Sequence, residues 1–215
     1  MFYSFFSITG HRQTIATALV VFIGIHFIKQ RKLIPFLILI AIGYTIHASC
    51  ICFLPFYWIS QIKINKLSIA IYGIAIALSF AFRYQLLYAL QMLVGYESFQ
   101  DYEGARLATF AFLLFGMAIV GCLKWKTMYE LSNNPILHIS MNAVLMACFF
   151  APLLSINQSF MRVVQYYSLF IMFILPEYTN LFSESSKRIF NVMICTIMII
   201  LLIRTNPPYS FVWMS

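Results

Sequence analysis

Arg12, His47 and Arg162 are ionisable residues in a chain otherwise built to dissolve in lipid. Placing such a group in or beside a bilayer span costs about 2.5–3.5 kcal/mol on insertion scales, so it usually faces a polar cavity or a partner. Their types suit a specific chemistry. Arginine is always charged, and its planar fork fits phosphate oxygens. Two arginines at headgroup depth therefore suit a diphosphate. Histidine titrates near neutrality and can accept a proton from a hydroxyl. A plainer reading stands beside this one. Each arginine can snorkel to headgroups from a helix end, and His47 can be a neutral histidine hydrogen-bonded to a neighbouring helix. The same plain reading applies to His26 and His138, which have no motif around them.

The elements that must position these residues are apolar runs. The chain has 215 residues, of which 62% are hydrophobic and 9% charged. Soluble domains carry about 25% charged residues, so an integral membrane protein is expected. At about 20 residues per span, the length gives about seven spans, and the fold class is an all-α polytopic transmembrane bundle. Residues 1–215 form one membrane domain in this reading, with no soluble domain and no cleavable signal peptide.

The first span covers residues 14–28 and is closed by Lys29-Gln30-Arg31-Lys32. Residues 33–60 follow without a Lys, Arg, Asp or Glu. That is longer than one ordinary span, so the segment must tilt, kink or break. His47 lies near its centre. Residues 67–82 and 84–94, parted by Arg83, read as two short spans or as one span plus an interfacial helix. Residues 95–106 hold Glu97, Asp101 and Glu103, three of the six acids. Further spans are read at 107–123, closed by Lys124-Trp125-Lys126, and at 136–156, 163–175 and 189–203.

The basic loops set the orientation, because cytoplasmic loops are enriched in Lys and Arg. With Lys29-Gln30-Arg31-Lys32 inside, Arg83, Lys124-Trp125-Lys126 and Lys187-Arg188 also fall inside, and the acidic loop falls outside. Only Lys63 and Lys66 sit on the wrong side. Arg12 and Arg162 then lie at the outer surface, and His47 lies in a span leading towards it. Three residues far apart in sequence can share one outward pocket.

Other chemistries find little support. The net charge of +8 sits mostly in short clusters between apolar runs, where it sets orientation and meets anionic headgroups; it does not indicate nucleic acid. The five cysteines all lie in apolar runs, which argues for packing over a disulfide framework. Cys50-x-Cys52 has the wrong spacing for a zinc finger, and no second pair follows. The acidic loop lacks the EF-hand pattern. No Walker motif, G-x-S-x-G elbow or H-E-x-x-H appears. No metal and no cofactor are expected.

Three segments resemble the EpsG-like family of exopolysaccharide polymerases, which are Wzy-type enzymes. Thr9-Gly10-His11-Arg12-Gln13 with Ala16 is similar to the family's G-x-R-Q…A opening, with His11 in place of the usual aliphatic residue. Ala41, His47-Ala48-Ser49 and Phe53-Leu54-Pro55 resemble its A…H-x-S…L-P signature. Arg162, Tyr166-Tyr167 and Leu175-Pro176 resemble its R…Y-x…L-P segment, and Asn206-Pro207-Pro208-Tyr209 its closing Pro-Tyr. Members of the family are usually longer at the N-terminus, so the chain is expected to correspond to the C-terminal part of such a bundle.

The resemblance implies a glycosyltransferase of the bacterial inner membrane, acting on its outer face. It would join oligosaccharide repeat units carried on undecaprenyl diphosphate and release the lipid diphosphate. Arg12, His47 and Arg162 would be catalytic. Arg12, Gln13, Arg162 and Tyr166 would bind substrate. Membrane lipids and a chain-length regulator protein would be its partners. Two alternatives are a flippase for the same lipid-linked sugars and a non-catalytic or truncated subunit. A flippase is disfavoured by the short chain and the absence of an internal repeat.

Overall fold

In the computed structural model of the chain, residues 11–94, 109–157 and 160–205 are described. Thr9 and Gly10, the acidic loop and the closing Asn206-Pro207-Pro208-Tyr209 lie outside the described residues. The fold is an all-α bundle, with helices and no strand among the described residues. α1 (His11–Lys29) contains a π-helical stretch over Leu19–Ile23. α2 (Leu33–Ile46) is followed by a 3-10 segment (Ala48–Phe53) and short α3 (Phe56–Ile59). Then come α4 (Lys66–Ala81), α5 (Arg83–Val94) and α6 (Thr109–Leu131). α7 (Leu137–Phe150) runs into a second 3-10 segment (Ala151–Ser155). α8 (Met161–Ser168), α9 (Ile171–Thr179) and α10 (Glu184–Thr205) complete the chain.

α7 is the central element. Twelve of its residues are buried, and α4, α6, α8 and α9 pack around it. It is apolar nearly all round, as a helix enclosed by others should be. The outer helices show the reverse of soluble amphipathicity. On α4, Leu67, Ile71, Ile74 and Leu78 are 70%, 57%, 61% and 51% exposed, whereas Ser68, Tyr72 and Ser79 are buried. The exposed residues recur at helical spacing and form one apolar stripe. A helix that turns its hydroxyls inward and its Leu and Ile outward is built for lipid, where polar groups must find partners inside the protein.

Those partners are present. Tyr72 donates to Asn142 Oδ1 at 2.7 Å, and Ser79 donates to the Phe149 carbonyl at 2.6 Å. The Asn142 amide donates to the carbonyls of Ser60 (3.2 Å) and Ile62 (2.9 Å). One buried side chain on α7 thereby holds the irregular turn after α3 and fixes α4. α4 itself starts with a capping box: Asn65 Oδ1 accepts from Ser68 N–H, and Ser68 Oγ accepts from Asn65 N–H, both at 2.8 Å.

The described helices do not match the apolar runs of the sequence one for one. Among the described residues, three helices are long and apolar enough to cross a membrane: His11–Lys29, Phe110–Leu131 and Leu137–Ser155. Lys66–Ala81 and Arg83–Met92 qualify as a pair, bent by 87° at the break. α2 has 14 residues, about 21 Å at 1.5 Å per residue, short of a hydrocarbon core of about 30 Å. Hydropathy measures the length of an apolar run and is blind to breaks inside it. Lys124-Trp125-Lys126 does not end its helix: α6 continues to Leu131. Charges on an exposed face leave the backbone ladder intact, and Lys126 and Glu130 pair at 3.9 Å one turn apart. The helix ends before Asn133-Asn134-Pro135, which cannot continue it. α10 carries the expected run 189–203 as one helix.

α1 and α2 cross closely at Gly43, where an added Cβ would lie 2.5 Å from Val20 Cγ2 and 3.0 Å from Cys50 Sγ. Small residues permit such close approach in membrane bundles. Val20 and Cys50 are fully buried and have no room to move away. Gly43→Ala is expected to destabilise the protein by about 1–3 kcal/mol, read as a lower unfolding temperature in detergent. Between the same helices, Lys32 N–H bonds the Phe27 carbonyl at 2.9 Å and Arg31 N–H the Ile28 carbonyl at 3.1 Å. This is a Schellman closure, with Arg31 in the left-handed region at φ 55, where glycine is the favoured residue. Arg31→Gly is expected to raise stability by about 0.5 kcal/mol, the relief of left-handed strain less the greater entropy of glycine in the unfolded chain.

Candidate active site

The 28-residue apolar segment breaks at His47. Thr45 Oγ1 donates to the Ile42 carbonyl at 2.7 Å, a local side-chain bond of the kind that bends helices. His47 is extended (φ −153, ψ 119) and ends α2, with its N–H still bonded to the Gly43 carbonyl at 2.9 Å. The same residue caps the 3-10 segment: Ser49 N–H lies 3.3 Å from His47 Nδ1. His47 is therefore fixed at a junction of two helical pieces, half-buried.

Three parts of the chain converge there. The Gln13 side chain, from the first turn of α1, is 1% exposed. Its Nε2 donates to Thr17 Oγ1 at 3.1 Å and to the Arg162 carbonyl, on α8, at 3.2 Å. Its Oε1 accepts from Ser49 Oγ at 2.9 Å. Ser49 Oγ also lies 2.8 Å from His47 Nδ1 and 3.1 Å from the Tyr166 hydroxyl. Tyr166 is fully buried, with Cys50 Sγ at 3.1 Å from its hydroxyl. The half-buried Arg162 interacts electrostatically with His47. His47, Gln13, Arg162 and Tyr166, spread over 150 residues, thus belong to one cluster. Arg12 adjoins Gln13 in sequence and is exposed.

An aromatic core supports the cluster from beneath. Phe53, fully buried in the 3-10 segment, packs on Phe56 (5.0 Å between centroids), Tyr167 (5.5 Å) and Tyr166 (6.1 Å). Tyr167 donates to the Cys52 carbonyl at 2.5 Å. Consecutive tyrosines on α8 thus fasten the segment that carries His47, one by a side chain and one by backbone.

Ser49 is the residue that the sequence reading quoted only as part of a motif and that the geometry makes central. The signal was the H-x-S spacing, because a hydroxyl two residues past a helix break can reach back to the capping side chain. Gln165 was not read at all. Both of its amide atoms are buried without a hydrogen-bond partner, three residues past Arg162 on the same helix. His26 bonds Gln30 at 2.8 Å on the exposed surface, and His138 lies beside Trp125. The five cysteines are free thiols. Among the described residues no group of three or more His, Cys, Asp or Glu side chains is placed to hold a metal ion.

A helical bundle with apolar outer faces, inward hydroxyls and a polar cluster at a broken helix is a multi-pass membrane protein. The EpsG family model matches residues 1–211, and the chain belongs to the EpsG family. Membership gives it, in general terms, a polymerase-like role in polysaccharide biosynthesis. No curated protein and no solved structure matches it.

Neighbouring residues here are expected to respond oppositely to substitution. Gln13→Leu takes the acceptor from the Ser49 hydroxyl and the side-chain donor from Thr17 and the Arg162 carbonyl, and is expected to cost about 1–3 kcal/mol. Arg12→Gln, at an exposed position, should stay within about 0.5 kcal/mol of the parent. Thermal unfolding of the two variants in one detergent measures the difference.

Proposed function

We propose that the protein joins oligosaccharide repeat units carried on undecaprenyl diphosphate at the outer face of the bacterial inner membrane. The observation that carries this reading is the hydrogen-bonded chain at a helix break that links His47 through Ser49 and Gln13 to the Arg162 backbone, with Arg12 next to Gln13 in sequence. A hydroxyl of the acceptor sugar attacks the anomeric carbon of the donor glycan. The new C–O bond forms as the bond to the diphosphate breaks, and the lipid diphosphate leaves with the bonding electrons. The hydroxyl proton passes to His47. Arg12 and Arg162 hold the departing diphosphate, where negative charge develops, and preorganised cations at such a position are a large source of rate. Positioned proton transfer contributes about 100- to 10,000-fold. Gln13 and Tyr166, both buried, support the site from within the bundle: Gln13 bonds Ser49 and the Arg162 carbonyl, and the Tyr166 hydroxyl lies against Ser49. A chain-length regulator would act on the assembled polymerase from outside this cluster.

The reading is tested on surface glycan from a strain deleted for this gene. Deletion is expected to leave glycan with a single repeat unit, and the parent gene to restore the ladder. Complementation with Arg12→Ala, His47→Ala or Arg162→Ala is expected to leave one unit while the variant is still present in membranes. Loss of even the single unit on deletion would place the protein in export or an earlier step and overturn the proposal.

A further inference from the structure

The side-chain hydrogen bonds around Ser49 constrain where the protons sit, and their arrangement determines which nitrogen of His47 is basic. The Arg162 carbonyl can only accept, so the Gln13 amide must turn its Nε2 toward it, at 3.2 Å. The opposite orientation would set two oxygens against each other. Gln13 Oε1 therefore faces Ser49, and as an acceptor it takes the Ser49 hydroxyl proton at 2.9 Å. A serine hydroxyl has one proton and two acceptor lone pairs. With its proton committed, Ser49 Oγ can only accept from its other neighbours, the Tyr166 hydroxyl at 3.1 Å and His47 Nδ1 at 2.8 Å. Nδ1 must then carry the hydrogen. In neutral imidazole one nitrogen donates and the other accepts, so the lone pair lies on Nε2.

A competitor is built into the same turn. Ser49 N–H points at Nδ1 from 3.3 Å and favours the opposite tautomer, with the hydrogen on Nε2. Nδ1 cannot both donate to Oγ and accept from N–H. The 2.8 Å contact and the fixed amide favour donation to Oγ. We infer that Ser49 is a positioning residue that holds His47 in the Nδ1–H tautomer, oriented through Gln13 by the Arg162 carbonyl, and so keeps Nε2 basic. This rests on the proposed role of His47 as base for its consequence in catalysis, but the tautomer itself does not depend on that role. The second nitrogen of a catalytic histidine is commonly set by such a bond.

The test is nitrogen-15 spectroscopy of the histidine-labelled full chain in lipid nanodiscs, at a pH where His47 is neutral. Its signals are assigned by subtraction of a His47→Asn sample. In the parent protein the His47 Nε2 resonance is expected in the unprotonated range and Nδ1 in the protonated range. Ser49→Ala removes the hydroxyl and leaves the backbone N–H, so the pattern should invert and elongation should fall about 100-fold. Ser49→Thr, which keeps the hydroxyl, should retain the parent pattern. Tyr166→Phe should retain it too, because the Ser49 hydroxyl still donates to Gln13 Oε1. A parent protein with the hydrogen on Nε2 overturns the inference without any variant, and so does an unchanged pattern in folded Ser49→Ala. The expected tautomer together with undiminished elongation in His47→Asn would uphold the circuit and refute the assignment of His47 as base.

Discussion

The Gln13 amide is the tie on which the site depends. It is buried inside the bundle, so each of its polar atoms must be matched within the chain. The matches are made across the fold: the Arg162 carbonyl on α8, Ser49 beyond the break in α2, and Thr17 on its own helix. Asn142 does the same at another break, holding the carbonyls of Ser60 and Ile62 and the hydroxyl of Tyr72. Two buried amides thus fasten two of the places where the backbone departs from regular helix. Apolar packing alone would leave these positions loosely specified, because leucine gains little from a leucine neighbour when lipid tails are equally apolar.

The proposed site lies at one of these breaks. An unbroken helix spends its carbonyls and N–H groups on itself and offers only side chains. By ending α2 at Ile46 and restarting as a 3-10 segment, the chain presents an imidazole, a hydroxyl and a thiol within two turns, at half-buried or buried positions among helices. The aromatic layer of Phe53, Phe56, Tyr166 and Tyr167 keeps that segment from moving on its neighbours. Precise placement matters, since catalytic groups displaced by about 1 Å lose much of their effect.

Much of this was legible in the sequence, for physical reasons that differ by residue. His47 stood out because a polar residue in an apolar run must be satisfied by something, and Arg162 because it is a charge beside such a run. The break near His47 was legible as excess length: 28 uncharged residues are too many for one span. Its exact place was not, because the Thr45 back-bond and the histidine cap are local geometry that hydropathy does not encode. Helix lengths were not legible for the same reason: short helices such as α2 and α9 read as continuous apolar runs. Lys124-Trp125-Lys126 misled because charge marks where a helix meets water, and a helix can continue there. The hub role of Ser49 was out of reach, since it arises from the meeting of residues 13, 49 and 162.

The measurement closest to the central claim is turnover by the purified chain in nanodiscs, given a defined repeat unit on undecaprenyl diphosphate. The account predicts glycans lengthened by whole repeat units, with one undecaprenyl diphosphate released for each new linkage and neither product formed by folded Arg162→Ala. Release of lipid diphosphate without chain growth, or no growth from folded parent protein, would contradict it.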